Sequence, residues 1–355
     1  MNFCTKLLSF YEENKRDLIW RKTSEPYKIW LSEIILQQTQ ISQGTAYYLK
    51  FIETYPTVFD LAKAEEQDIL LLWQGLGYYS RARNLLHTAK EIVRIYKGKF
   101  PDNFNDLIKL KGIGEYTASA ILSICFKKVY PAVDGNVLRI ISRIFGIREP
   151  INQASGKKEV TEKCKTLICK ENPGDFNQAL MDFGSSVCKK SNPNCANCIF
   201  NNACEAYQHD IVSELPVKTN TKAKITEYFN YFILAGADEI LIQKRTSGIW
   251  KNLYEFPLIV SEKKVSVNTV KAQFKELYSL PDECKFTSIS EPVKHVLSHK
   301  TLFVRFYFLQ ELSEKQFLTI RDSGKFLKIK QKNLSDYPFP QIIRNFSTVY
   351  RFTIP

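Results

Sequence analysis

Leu107-Ile-Lys-Leu-Lys-Gly-Ile-Gly-Glu-Tyr-Thr-Ala118 is the stretch whose reading decides the fold. Gly112 and Gly114 separate two apolar-periodic runs. Phe104, Leu107 and Ile108 share a face of the first, and Ala118, Ile121, Leu122 and Cys125 share a face of the second at helical spacing. Glycine permits a positive φ and close backbone approach, so the break reads as a tight hairpin between two helices. The second helix starts near Glu115. Its unbonded N–H groups and positive dipole end form a ready anion site, flanked by Lys109 and Lys111. On spacing alone, an ordinary αα-hairpin whose glycines serve only the turn accounts for the string at least as well.

Helical texture extends in both directions from the hairpin. An amphipathic start (Leu7, Leu8, Tyr11, Leu18) closes on Trp20-Arg-Lys, and Pro26 opens a run in which Trp30, Ile34 and Gln38 share a face. Further helical runs cover 43–54, 65–73, 80–96 and 104–109. Beyond the hairpin they cover 136–145, 158–170 and the stretch from Phe176. No alternating strand pattern occurs before residue 210. The Pro-, Thr- and Lys-rich stretch at 213–225 reads as a linker. After it come β-rich runs at 227–234, 239–244 and 301–309, with a helical candidate at 269–277. The expected division is a helical module at 1–212, a linker at 213–225 and an α+β domain at 226–355. Within the module, one lobe spans 26–130 and the other combines 1–25 with 131–212.

A chain of 355 residues, 44% hydrophobic and 25% charged, suffices for two cores, and this ordinary globular usage argues against wholesale disorder. The formal charge of +13 suggests a polyanionic partner. No apolar stretch is long enough to span a bilayer. The N-terminus lacks the h-region of a secretory signal, which points to the cytoplasm. With only four histidines, a histidine-rich catalytic zinc centre is disfavoured.

Of nine cysteines, Cys4, Cys125, Cys164, Cys169 and Cys284 are scattered and read as small core hydrophobes. Cys188, Cys195, Cys198 and Cys204 form C-x6-C-x2-C-x5-C. Four thiolates so close together suit a [4Fe–4S] cluster or a Cys4 zinc site. One compact loop with a single short pair fits the cluster better. Lys189 and Lys190 inside the loop would then face phosphate.

Two carboxylates stand out, Glu33 and Asp134. A pair of carboxyls at one cleft can cleave a glycosidic bond, one protonating the leaving group and the other stabilising the developing sugar cation. Each has an alternative: Asp134 could simply cap the helix that begins beside Asn136, and Glu33 could be a polar-face glutamate. If apolar neighbours desolvate Glu33, its pKa rises toward neutrality.

The strings Trp30-Leu-Ser-Glu-Ile-Ile-Leu-Gln-Gln-Thr39, Trp73-Gln-Gly-Leu-Gly-Tyr-Tyr-Ser-Arg-Ala-Arg-Asn84, Leu110-Lys-Gly-Ile-Gly-Glu-Tyr-Thr-Ala118 and Pro131-Ala-Val-Asp-Gly-Asn-Val137 together resemble the adenine-specific mismatch glycosylases of the MutY type, within the endonuclease III superfamily. The cysteine spacing resembles that superfamily's cluster loop, which implies one [4Fe–4S] cluster with structural and DNA-positioning roles. The resemblance implies that Glu33 protonates adenine, Asp134 stabilises the sugar cation, Asn136 orients the apparatus and Tyr116 lies near the reacting sugar. Bifunctional relatives carry a Schiff-base lysine where Tyr116 stands. A phenol cannot form an imine, so the expected enzyme is monofunctional. Gln38 and Tyr78 match residues that wedge beside the base opposite the flipped adenine. Arg21, Trp30 and Gln178 are expected in the base pocket. Lys111, Gly112 and Gly114 are expected to grip phosphate.

The stretch 239–257 resembles a Nudix-like opening, but the nearest helix offers only Glu276 for Mg²⁺, so the domain reads as catalytically dead and used for recognition. Leu297-Ser298-His299 matches the family's Phe-Ser-His loop that senses 8-oxoguanine, with leucine for phenylalanine; Ser298 and His299 are the expected contacts. The expected fold is mainly α, a two-lobed helix-hairpin-helix glycosylase module with an iron–sulfur loop plus a C-terminal α+β Nudix-like domain. The expected partner is duplex DNA carrying adenine opposite 8-oxoguanine or guanine, bound by a monomer with no membrane association. The rivals are a bifunctional oxidised-pyrimidine glycosylase and an inactive iron–sulfur DNA-binding protein.

Overall fold

A computed structural model describes residues 2–219, 223–236, 238–281, 284, 286–309, 312–324 and 326–349. The chain forms two compact units, Met1–Ala64 with Ser80–Asn220, and Glu65–Tyr79 with Thr221–Pro355. The helices are α1 (Phe3–Asn14), α2 (Pro26–Leu36), α3 (Ile41–Thr54), α4 (Val58–Lys63), α5 (Glu66–Leu72), α6 (Ser80–Tyr96), α7 (Phe104–Leu107), α8 (Glu115–Phe126), α9 (Gly135–Phe145), α10 (Ala154–Leu167), α11 (Pro173–Ser186) and α12 (Glu205–Gln208). Of these, α5 alone belongs to the second unit. Among the described residues no strand precedes Ile225, and no helix is long and apolar enough to cross a membrane.

In the first unit α2 packs on α3, α6 and α8, while α11 packs on α1, α8 and α9. Pro26 at the first turn of α2 supplies a preset φ where no N–H partner is needed. Buried Tyr27, Ile29, Trp30, Leu31, Ser32, Ile34 and Ile35 occupy nearly every face of α2, so Glu33 does not sit on a polar stripe. The helix ends on Arg81, whose Nη1 donates to the carbonyls of Ile34 at 3.0 Å, Ile35 at 3.2 Å and Gln37. One guanidinium thereby satisfies carbonyls that the helix itself leaves unbonded. A second core joins α1, α9, α10 and α11 through Leu7, Ile140, Ile141, Val160, Phe176 and Phe183. Cys4 and Cys169, expected as isolated core residues, are bonded to each other across a Cα separation of 5.6 Å. The disulfide ties α1 to the residues after α10.

The second unit is built on β1 (Ile225–Leu234), β2 (Glu239–Lys244), β3 (Tyr254–Glu255), β4 (Leu258–Ser261), α13 (Val267–Leu277), β5 (Phe286–Ile289), β6 (Val293–Val296), β7 (Lys300–Leu309), α14 (Glu314–Gly324), β8 (Leu327–Lys330) and α15 (Gln341–Val349). One sheet runs β4-β1-β7-β5, with β6 also paired to β7; the other runs β3-β2-β8. β1 and β7 are parallel along their full length, Ile225 opposite Lys300 through Leu234 opposite Leu309. Successive strand residues face opposite sides. Phe229, Tyr231 and Ile233 enter a core with Ile342, Ile343 and Phe346 of α15. Phe232 and Leu234 enter another with Val270 and Phe274 of α13 and Ile320 of α14. A parallel pair buried on both faces explains the continuous apolar run Tyr231-Phe-Ile-Leu234.

Candidate active site

The hairpin forms at the predicted residues, but its two glycines do different work. Gly112 has φ +85, and a Cβ there would come 2.8 Å from Asn84 Cβ on α6. Gly114 is the extended N-cap of α8 at φ −92, with open space where a Cβ would project. Thr88 Oγ1 donates to the Lys111 carbonyl at 2.7 Å and holds the turn on α6. Lys111, Gly112 and Gly114 are exposed, leaving the amide end of α8 open to an anion.

The chain then returns through residues 127–133 to Asp134. Buried Asn177 fixes this return: its Oδ1 accepts from Ala132 N at 3.0 Å, and its Nδ2 donates to Ser123 Oγ at 2.8 Å and to the Tyr130 carbonyl at 2.9 Å. Asp134 does cap α9. Its Oδ1 accepts from the backbone N–H of Asn136 at 2.9 Å and of Val137 at 2.8 Å. Its Oδ2 accepts from Asn136 Nδ2 at 2.8 Å, and Asn136 Oδ1 accepts from Arg139 Nη2 at 2.9 Å. Arg139 in turn donates to the carbonyls of Gly184 at 2.8 Å and Cys188 at 2.9 Å. Asn136 packs so tightly on α11 that a Cβ at Gly184 would come 2.7 Å from its own Cβ.

A cavity of about 320 Å³ brings together Glu33 from α2, Tyr116 from α8, Asp134 and Asn136 from α9, Gln178 from α11, and Arg21. That volume lies in the small-molecule range. Burial pushes the Glu33 carboxyl up to about 7; a hydrogen bond from Tyr116 partly offsets this, and the nearby Asp134 charge adds to it. The Tyr116 hydroxyl also lies 3.7 Å from Met181 Sδ. Burial raises Asp134 as well, against the hydrogen bonds at the α9 terminus. The two carboxyls thus differ in kind: Glu33 is held by desolvation near neutrality, and Asp134 is held in place by three donors at the start of α9.

Arg21 sits over the Tyr11 ring at 5.5 Å and donates to both oxygens of Asp182, at 2.6 and 2.9 Å. Arg16 binds the same carboxylate through Nε at 2.7 Å. Asp182 is only 2% exposed, and burial alone would raise it, yet the two guanidiniums hold it below the usual carboxylate range. Gln178 Oε1 accepts from Tyr11 O–H at 2.7 Å. Sequence reasoning missed Asp182, Arg16, Met181 and Trp20. The last takes the wall position expected of Trp30. Trp30 instead is 1% exposed and lines a separate cavity of about 120 Å³ with Gln37, Arg81, Asn84, Lys111 and Gly112. Its indole packs edge-on against Phe100.

The remaining expected residues lie elsewhere. Gln38 is exposed just beyond α2, with φ +56. Tyr78 belongs to the second unit, is 47% exposed and has φ +47. Ser298 and His299 form the exposed tip of the β6–β7 hairpin, closed by Leu297 N to the Lys300 carbonyl at 2.8 Å. Ser298 Oγ and His299 Nδ1 are 3.3 Å apart. Leu297 turns inward against the core around Phe229.

The [4Fe–4S] expectation at Cys188, Cys195, Cys198 and Cys204 is corrected. Among the described residues no group of three or more His, Cys, Asp or Glu side chains is arranged to hold a metal ion. The four cysteines line a cavity of about 20 Å³, which is room for about one water rather than a cube of iron and sulfide. Local partners occupy three of the sulfurs: Arg143 Nη1 lies 3.6 Å from Cys188 Sγ, Phe200 N donates to Cys198 Sγ at 3.4 Å, and Cys204 Sγ donates to the Arg143 carbonyl at 3.4 Å. Burial pushes the Cys198 thiol up to about 11 and raises Cys195 and Cys204. The loop is a packed structural element, not an iron–sulfur loop.

Residues 31–170 match the HhH-GPD superfamily of base excision DNA repair proteins, and residues 230–348 match the NUDIX domain. Among solved structures, a thermostable thymine-DNA glycosylase superposes at TM-score 0.53 with 30% identity, covering 58% of this chain and 94% of its own. A trapped endonuclease III–DNA covalent intermediate superposes at TM-score 0.51 with 21% identity over 58% of this chain and 94% of its own, a likeness of fold alone. The adenine DNA glycosylase of Buchnera aphidicola subsp. Baizongia pistaciae is 36% identical over 306 residues, 85% of this chain and 84% of that protein. That of Buchnera aphidicola subsp. Schizaphis graminum is 31% identical over 98% of this chain and 99% of its own. The human adenine DNA glycosylase is 30% identical over 92% of this chain and 70% of its own. With two carboxyls facing one cavity, an open hairpin beside it and relatives matched along nearly the whole length, this chain belongs to the adenine DNA glycosylase family.

Proposed function

We propose that the protein removes adenine from duplex DNA by hydrolysing its N-glycosidic bond, acting where adenine is mispaired with 8-oxoguanine or guanine. The observation that carries this is a Glu33 carboxyl raised to about 7 across one cavity from the α9-bound Asp134. A carboxyl near neutrality is protonated often enough to donate to a purine nitrogen and basic enough to be refilled. Asp134, held by Asn136 and two backbone amides, supplies fixed negative charge to the oxocarbenium-like sugar. Tyr116 bears on Glu33 and offers no amine, which supports a monofunctional enzyme over the bifunctional pyrimidine reading. Arg21 and Gln178 would contact the extruded base, and the hairpin amides with Lys111 would hold a phosphate. Gln38 and Tyr78 would enter the duplex beside the opposite base, and Ser298 and His299 would read it. DNA as substrate fits a cytoplasmic enzyme, although the Cys4–Cys169 bond is unusual for a reducing compartment.

The test uses duplexes carrying single 8-oxoguanine:adenine, guanine:adenine and thymine-glycol pairs, with strand breakage scored before and after hot alkali. Breakage only after alkali, at adenine, is the expected result. Breakage without alkali at the pyrimidine lesion would replace this reading with the bifunctional one.

A further inference from the structure

Residues 65–79 pack with the β-rich unit although their chain neighbours on both sides belong to the helical one. The second unit holds this segment at several points. Asn252 Nδ2 donates to Glu66 Oε1. Tyr254 O–H donates to Gln67 Oε1 at 3.3 Å, and Gln67 Nε2 donates to the Asp336 carbonyl at 3.1 Å. Tyr79 O–H accepts from Gly75 N at 3.5 Å and donates to the Phe339 carbonyl at 3.5 Å, tying the turn after α5 to the same unit.

The turn itself has little freedom. Gly75, Gly77 and Tyr78 all have positive φ, at 107, 70 and 47 degrees, and Trp73 Nε1 donates to the Gly77 carbonyl at 3.0 Å. A non-glycine residue stays in the left-handed region only where its surroundings over-determine it. On the other side of the contact the Asn252 turn is equally defined: Trp250 and Asn252 have φ of 61 and 68, and Asn252 N donates to the Arg245 carbonyl at 2.8 Å. Tyr78 and the Ser298–His299 tip are therefore parts of one compact unit.

The geometry points to Asn252 and Tyr254, acting through Glu66 and Gln67 of α5, as positioning residues for Tyr78. The unit that meets the base opposite adenine also aims the side chain that enters the duplex beside it. A base that seats well against the Ser298–His299 tip brings Tyr78 into register, so lesion identity is expressed as wedge placement. This rests on the proposed reading of Tyr78 as a wedge, and it adds residues and a route that the reading does not contain.

The test uses the full-length protein and an 8-oxoguanine:adenine duplex with 2-aminopurine stacked beside the 8-oxoguanine, whose fluorescence rises when a side chain unstacks it. The wild type gives the rise and Y78A abolishes it. N252A and Q67A, which cut the contact from opposite sides, each lose most of the rise. In single turnover both variants excise adenine from the duplex about tenfold more slowly, yet stay within about twofold of wild type when the adenine sits in an unpaired bubble. A general loss of folding lowers both rates together. Wild-type fluorescence in N252A and Q67A, or equal losses on duplex and bubble, would overturn the inference. Retention of the rise in Y78A would overturn it together with the wedge reading. Because the fluorescence reports insertion without excision, a wild type that inserts but releases no adenine refutes the proposed reaction alone.

Discussion

Each unit desolvates a glutamate, and the two are treated in opposite ways. Glu33 in the helical unit faces a cavity, with a tyrosine hydroxyl as its close partner and Arg21 acting from farther away. Glu255 in the β-rich unit is 3% exposed and fully engaged: Arg245 Nη1 at 2.6 Å, Gln243 Nε2 at 3.2 Å and Tyr231 O–H at 3.2 Å. Burial raises both carboxyls. Only Glu33 faces space into which a proton can be handed. Desolvation therefore marks both residues as unusual, and the unfilled side of the first separates a working acid from a structural ion pair.

The contrast breaks first at the reaction. E33Q and D134N are expected to lose about 10²–10⁴-fold in excision rate while still binding the mispaired duplex, measured by single-turnover cleavage and gel shift. Full activity in E33Q would remove Glu33 as the acid. E255A strands Arg245 and Tyr231 in the second core and is expected to cost about 3–5 kcal/mol in denaturant unfolding of that unit. A cost below about 1 kcal/mol would mean that the network is not a tight pair.

The pH profile sharpens the same comparison. Glu33 must be protonated to act, so the single-turnover rate should fall about tenfold per unit once pH exceeds about 7. A break near 4.5 would show an ordinary exposed carboxylate. Stability gives the smallest effect. The folded pKa of Glu33 lies above its unfolded value, so folding is favoured by the bound proton at low pH, and that contribution is lost as pH rises through about 7. E33Q should accordingly melt higher than wild type at pH 8, by a margin of up to about 3 kcal/mol in stability, and the margin should vanish toward pH 4.

Local pattern was sufficient for much of this. The hairpin, α6 at 80–96 and β2 at 239–244 lie where spacing puts them, because each has an uninterrupted period and a glycine, proline or linker at its edges. The short strands β5, β6 and β8 escaped, since the alternating rule needs a longer run and β6 is exposed along most of its length. Long-range pairing was invisible. Nothing in the local sequence ties Arg16 and Arg21 to Asp182, although buried charge of that kind demands a counter-ion somewhere. The same holds for Cys4 and Cys169, 165 residues apart. The resemblance named Trp30 for the base pocket, but a motif match assigns a residue and not the cavity its side chain meets. Cysteine spacing described a compact loop but not the room inside it.

The excursion of residues 65–79 into the β-rich unit also bears on how the chain is made. A ribosome releases this segment long before residues 252–339, which carry its hydrogen-bond partners, have been synthesised. The helical unit can close around Ala64 and Ser80 early, but α5 and the Gly75–Tyr79 turn must wait until residues 252–339 have been made to reach these partners. Maturation of the Tyr78 turn is thus a late event, and a chain stopped after residue 220 would carry α5 without any of them.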